Sequence, residues 1–245
     1  MPNHVKNQLH LSGDRNRINE LLKSIKGENT VLDFNKIIPM PESLHIEAGS
    51  KTERGLAAYK EFIAVYIFDG SVQKPDLLDI PEKSEQAFLR MRKDIQPDEW
   101  ELGKTAFQNQ IRYGAPTWYE WAIENWGTKW SAYDTGMEIN NTIIFNTAWS
   151  RAMPVISKLA EMYPVISFMY RWADEDLGSN VGIAEFKSGE LVHDEFYEAC
   201  SREAYELAAD LWGLNLEEEG YVFNEEKQTY EYDFSEEQSE DPSMS

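Results

Sequence analysis

Two clusters of side chains have types and spacings that a binding or catalytic site could use. The first runs from Trp118 to Asp134 and holds Trp118, Trp121, Trp126 and Trp130 with Tyr119 and Tyr133. Indole offers a large rigid surface and one donor, and Asn125, Thr128, Lys129 and Asp134 set polar groups beside the rings. Such a segment suits an aromatic groove for a peptide, a sugar or a base. Trp118, Trp121, Ala122 and Asn125 also recur at helical spacing, which equally suits rings packed into a core between helices and a following sheet. The second cluster is Asp174, Glu175 and Asp176 ahead of Gly178, an oxygen-rich loop of the kind that takes a hard cation. It lacks the third ligand position, the glycine and the closing Glu that an EF-hand loop requires. The plainer reading has Asp174 capping backbone donors at the end of a strand.

The remaining reactive side chains are scattered. His4 and His10 share the outer face of one strand, about 20 Å apart at the usual rise, and His45 and His193 lie far off in sequence, so no metal site follows from them. Cys200 falls at helical spacing from Phe196, Ala204 and Leu207, which predicts a buried, inert thiol. There is no GxxxxGK[ST] loop, GxGxxG after a strand, HExxH, GxSxG or CxxC. No residue is assigned a catalytic role, and no metal or cofactor is expected.

The elements that would hold these residues can be read from periodicity. His4 to Ser12 alternates, with Val5, Leu9 and Leu11 on one side and Asn7 as the only polar residue among them, so it predicts a half-buried strand. Asp14 caps a helix with Ile18, Leu21, Leu22 and Ile25 on one face and Gly27 as its stop, and Thr30 to Ile38 reads as a second strand. Ser50 and Glu53 have capping-box spacing ahead of a helix presenting Leu56, Tyr59, Ile63, Tyr66 and Ile67, with Asp69-Gly70 as its stop. A short helix with Phe88, Leu89 and Met91, a helix from Trp100 to Ile111, and a second capping-box spacing at Thr117 and Glu120 make the middle mainly helical.

Strand signals return at Lys129–Asp134, Thr142–Thr147 and Val165–Trp172, with a helix over Arg151–Tyr163, capped by Ser150, before the last of these. The order is β-β-α-β. Ser188-Gly189 predicts a hairpin between Gly182–Lys187 and Glu190–His193, followed by a long helix over Asp194–Trp212 that ends at Gly213. Tyr221, Phe223, Tyr230, Tyr232 and Phe234 alternate around Asn224–Gln228 as a further hairpin, and the sequence after Phe234 has no apolar pattern.

Charge bounds the function. The 245 residues include 44 Asp and Glu against 23 Lys and Arg, a net charge of −21. From Glu217 onward there are 11 acids and one lysine, so that stretch carries −10 of it. A body this acidic repels a polyanion, which argues against direct binding of nucleic acid. The acidic C-terminal stretch suits either solvation of an exposed edge or attraction of a basic partner. No apolar stretch approaches the ~20 residues of a membrane-spanning helix, the N-terminus lacks the apolar run of a signal peptide, and Cys200 is the only cysteine. The expected location is cytoplasmic, with no membrane partner.

Several strings carry a family resemblance. NWGTKWSAYD (Asn125 to Asp134), FNTAWS (Phe145 to Ser150) leading into MPVISKLAEMYP, YRWADEDLG (Tyr170 to Gly178), the opening MPNHVKN and DFNKIIPMPESL (Asp33 to Leu44) resemble the YubB-type (Api-like) family. That resemblance implies carriage by bacteriophages or plasmids in a bacterial host and a ferredoxin-like C-terminal part. It implies no established activity and offers no catalytic residues to transfer.

The expected fold class is α+β, with ferredoxin-like β-α-β elements, an antiparallel sheet and a mainly helical middle. The expected divisions are 1–116 (α+β with a helical insertion), 117–216 (ferredoxin-like) and 217–245 (acidic hairpin and loose tail). The expected function is that of a non-enzymatic accessory protein of a phage or plasmid, which binds an unidentified host or phage protein with a basic surface and imitates nucleic acid in doing so. The alternative is a small-ligand binder or enzyme that uses the Trp-rich segment with nearby carboxylates. Oligomeric state is left open.

Overall fold

The computed structural model describes residues 2–68 and 76–233. The expected helix stop at Asp69-Gly70 and the loose tail from Phe234 lie outside the described residues. In chain order the elements are β1 (His4–Ser12), α1 (Arg15–Ile25), short 3-10 turns at Phe34–Lys36 and Glu42–Leu44, α2 (Ser50–Phe68), α3 (Glu82–Met91), α4 (Pro97–Tyr113), α5 (Trp118–Trp126), β2 (Tyr133–Glu138), β3 (Thr142–Ala148), α6 (Met153–Met162), β4 (Ser167–Asp174), β5 (Gly182–Lys187), β6 (Glu190–Phe196), α7 (Arg202–Trp212), β7 (Tyr221–Asn224) and β8 (Thr229–Tyr232). The fold is α+β, as expected, and its main sheet is antiparallel throughout, in the order β2-β3-β1-β4-β5-β6.

The chain divides into two compact units. Residues up to Pro39 join those from Asn125 onward in one unit, and Met40–Glu124 form the other. This division differs from the boundaries expected at 116 and 216, because β1 lies between β3 and β4 in the sheet rather than in an N-terminal region of its own.

In the sheet unit, Val5, Asn7, Leu9 and Leu11 share one face of β1 with Phe145 and Ile143 of β3 and with Phe168, Tyr170 and Trp172 of β4, and all are buried. Asn7, the polar residue on that face, is fully partnered. Its Nδ2 donates to Val5 O at 2.8 Å and Thr147 Oγ1 at 2.9 Å, and its Oδ1 accepts from Tyr170 Oη at 2.6 Å. A buried amide so satisfied specifies register without an unpaired-group penalty. Helix α6 packs on β4, β5 and β6 with Val155, Ile156, Leu159 and Ala160 buried. On the opposite face Ala173 meets Val181 and the Ala204 and Ala208 stripe of α7. Asp14 caps α1 through the backbone N–H groups of Asn16 and Arg17, as its spacing predicts.

Five sequence readings in this unit are corrected. Residues 30–38 form no strand and hold only the 3-10 turn at Phe34–Lys36, because Asp33 accepts from Asn35 N, while Val31 N and Phe34 N donate to the hydroxyls of Thr135 and Ser131. Strand β2 begins at Tyr133, not Lys129. Helix α7 begins at Arg202, capped by Ser201 through Ala204 N, and the residues from Asp194 to Phe196 extend β6. Cys200 is therefore exposed, with φ +60°, instead of buried on a helix. For α6 the expected cap Ser150 donates to Gly127 O, and Ala152 holds the cap position without a side-chain bond. The hairpins at Ser188-Gly189 and at residues 224–229 are present, the first with φ +54° and +84°, which suits a type I′ turn.

In the helical unit α2 and α4 cross where Gly55 meets Gly103. A Cβ on Gly103 would lie 2.1 Å from Gly55 O, so the backbones touch only because both side chains are hydrogen. Tyr59, Phe62, Ile63, Phe88 and Trp100 form the core. Glu85 is buried among these rings, held by Lys104 at 2.7 Å and by the N–H of Trp100 at 3.2 Å. Ile67, expected on the apolar face of α2, is exposed.

Candidate functional site

The Trp-rich segment is parted by the fold. Thr117 Oγ1 accepts from Tyr119 N and so starts α5, as the capping-box spacing predicts. Within the helical unit Trp118 is half-buried, edge-on to Tyr119, and Trp121 is buried. In the sheet unit Asn125 is half-buried, whereas Trp126 is 4% exposed, edge-on to Phe34, with its N–H on Ile38 O at 2.9 Å. Thr128 is buried and exchanges two hydrogen bonds with Ala148, donating at 2.8 Å and accepting at 3.1 Å. Trp121, Trp126 and Thr128 therefore serve packing, a fate that helical spacing had allowed for Trp121.

The later residues of the segment meet at one end of the sheet. Lys129 Nζ lies 4.8 Å from the ring centroids of both Trp130 and Trp149, an ammonium between two indoles that are 38% and 42% exposed. Trp130 is edge-on to Tyr133 at 6.3 Å. Tyr133 Oη donates to Thr147 O at 3.1 Å, which leaves it to accept from His4 Nδ1 at 2.5 Å; this network assigns the His4 proton to Nδ1. Burial, then the negative charges of Asp134 and Glu175, push the Tyr133 phenol up to about 12, so it remains a neutral donor. Asp134 sits in a bulge with φ +48° and accepts from Asn146 Nδ2 at 3.1 Å.

The acidic loop closes the same end. Asp174 is buried and accepts from Asn3 Nδ2 and from Asp176 N, both at 3.0 Å, in the capping role that the plainer sequence reading allowed. Asp176 accepts from Ser179 Oγ at 3.1 Å, and Glu175 is exposed with its N–H on His4 O. Among the described residues no group of His, Cys, Asp and Glu is arranged to hold a metal ion. Asn3 O accepts from Trp149 N, and Asn180 Nδ2 reaches Trp149 O at 3.2 Å, so the two sequence clusters are joined through β1 and Trp149. His4, Asn3, Trp149 and Asn180 were absent from the sequence-derived site. The only signal for His4 was its place on the outer face of an alternating strand.

A second feature is electrostatic. From Glu190 to Asp233 there are 14 Asp and Glu and 2 basic residues, Arg202 and Lys227, a balance of −12. Both cations are committed within the stretch, Arg202 to Glu206 at 2.7 Å and Lys227 to Glu231. Strand β6 opens this region and is exposed at every residue.

Residues 125–238 match the family model described as the ferredoxin-like domain in Api92-like protein. The matched region begins where the chain re-enters the sheet unit, and β1 lies outside it. A crystal structure of a protein Api92 from Yersinia pseudotuberculosis is similar at 12% identity, covering 81% of this chain and 99% of that one, with a TM-score of 0.40. No curated protein matches the chain. No helix among the described residues is long and apolar enough to cross a membrane.

Proposed function

We propose that this chain is a non-enzymatic accessory protein of a bacteriophage or plasmid that acts in the bacterial cytoplasm by binding a basic protein, occupying the surface with which that protein holds nucleic acid. The observation that carries this reading is the acid-rich stretch from Glu190 to Asp233, whose own two cations are consumed by internal ion pairs and which, among the described residues, takes only Arg151 on Asp194 and Arg171 on Asp210 from outside, so most of its 14 acids keep their charge. Such a field speeds encounter with a positive patch and repels nucleic acid itself. The test is capture of partners by the full chain and by a Glu203→Lys/Glu226→Lys variant at about 0.05 M and about 0.5 M salt, with duplex DNA as competitor. The reading requires partners that salt, DNA and charge reversal each displace; partners indifferent to all three refute it.

A second reading rests on the exposed indoles of Trp130 and Trp149 flanking Lys129, which suit a small planar ligand carrying a carboxylate. Thermal shift with nucleotides, sugars and aromatic carboxylates examines it, and a flat screen retires it.

A further inference from the structure

The two outer strands of the sheet differ in cover. At β2, Val31 N donates to Thr135 Oγ1 and Phe34 N to Ser131 Oγ, so residues 31–34 lie along that side. Strand β6, at the other end of the strand order, is exposed at all seven positions. An exposed strand edge offers unpaired backbone groups to any extended chain.

The side chains of β6 form two rows. Register with β5 puts Leu191, Asp194 and Phe196 on the face of Phe186, Ala184 and Gly182, and Glu190, His193 and Glu195 on the other, with Val192 unopposed at a bulge. The first row is apolar in effect, because Arg151 binds Asp194 through two contacts of 2.5 and 2.9 Å and lies 4.2 Å from the ring centroid of Phe196. Phe196 is thus fixed in place while 56% exposed. The second row is acidic. Lys187, opposite Glu190, is held by Glu185 at 2.9 Å, and His193 by Glu195 at 3.1 Å.

We infer that β6 accepts, by strand addition, an extended segment of a partner in which basic and apolar side chains alternate. Neighbouring side chains across a strand pair interact row by row, so Lys or Arg would lie beside Glu190 and Glu195 and apolar groups beside Leu191 and Phe196. A second copy of this chain fits poorly, since full antiparallel pairing with the rows matched sets Glu190 against Glu195 twice. The inference rests on the proposal that the chain binds a basic protein and names the surface used.

The probe is a fluorescein-labelled ten-residue peptide alternating Lys and Val, titrated against the full chain by anisotropy, with amide hydrogen exchange of residues 190–196 as a second readout. Its comparators are a peptide of the same composition in two blocks and the alternating peptide N-methylated at every second residue. We expect the alternating peptide to bind and to slow exchange at residues 190–196. N-methylation, or Glu190→Lys/Glu195→Lys in the protein, should each weaken it at least tenfold, and Glu203→Lys/Glu226→Lys should weaken it less. Equal binding of the block peptide with unchanged exchange at residues 190–196 overturns strand addition while leaving attraction to basic chains standing. No binding of either peptide overturns the inference, and the capture experiment then decides the wider proposal separately.

Discussion

The two edges of one sheet are finished in opposite ways. At β2 the backbone bulges between Tyr133 and Gly136, Asp134 takes a left-handed conformation, and residues 31–34 donate to hydroxyls on and beside the strand. At β6 the described chain offers no such cover; the strand is held from below, by Arg151 against the rings of Trp172 and Phe196, which also meet edge-on, and by the absence of a side chain at Gly182. Natural sheets protect edges by bulging, covering or charging them. Here β2 is bulged and covered, whereas β6 is charged. Charge protects against a second acidic copy but invites a basic strand, so the same device that blocks self-association selects a partner.

The largest test of this contrast uses the same substitution at both edges. A Cβ on Gly182 would lie 2.3 Å from Glu195 O and 2.4 Å from the Trp172 ring, so Gly182→Ala must separate β5 from β6 or tilt a buried indole. The expected cost is about 2–3 kcal/mol by urea unfolding, with hydrogen exchange faster first in residues 182–196. A Cβ on Gly136 meets only the side chain of Ile144, at 3.1 Å, so Gly136→Ala should change stability by less than about 1 kcal/mol. Equal effects at the two positions would mean that β6 is not seated as described.

A smaller effect belongs to the covered edge. Thr135→Val keeps the shape of the side chain and removes the acceptor of Val31 N, which is 3.1 Å away. The loss should be about 1 kcal/mol, and the Val31 amide should exchange faster while those of β6 do not change. Unaltered exchange at Val31 would show that residues 31–34 do not seal β2.

The edges also mark what the sequence could and could not disclose. Strand β1 was readable because it lies mid-sheet with one face buried, so Val5, Leu9 and Leu11 alternate against polar neighbours. Asp14, Thr117 and the Ser188-Gly189 turn were readable because their hydrogen bonds close within a few residues. The end of β6 was not: Phe196, Cys200, Ala204 and Leu207 keep a helical period across a strand end and a cap, and local periodicity cannot detect that the chain turns at Cys200. The candidate site failed similarly. Composition marked Trp118 to Asp134 as unusual, but Trp126 is turned inward by its bond to Ile38 O, and Trp130 is brought to Trp149 and His4 by pairing across the sheet, as between His4 and Ala148. That contact is distant in sequence and has no local signature.

The finest test concerns Tyr133, at the start of β2. Burial and the nearby charges of Asp134 and Glu175 raise its phenol to about 12, against roughly 10 in an unfolded chain. Below pH ~10 both states keep the proton, and the contribution to stability is fully present. Between about pH 10 and 12 the unfolded chain releases a proton that the folded one retains, so stability falls as pH rises. Tyr133→Phe removes this dependence along with the bonds to Thr147 O and His4. The stability advantage of the natural residue should therefore be constant up to pH ~10 and shrink above it. Other phenols raised by burial, Tyr59 and Tyr170 among them, occur in both proteins and cancel in the difference. A difference that stays flat through pH 11 would mean that water reaches the phenol, and β2 would then be as open as β6.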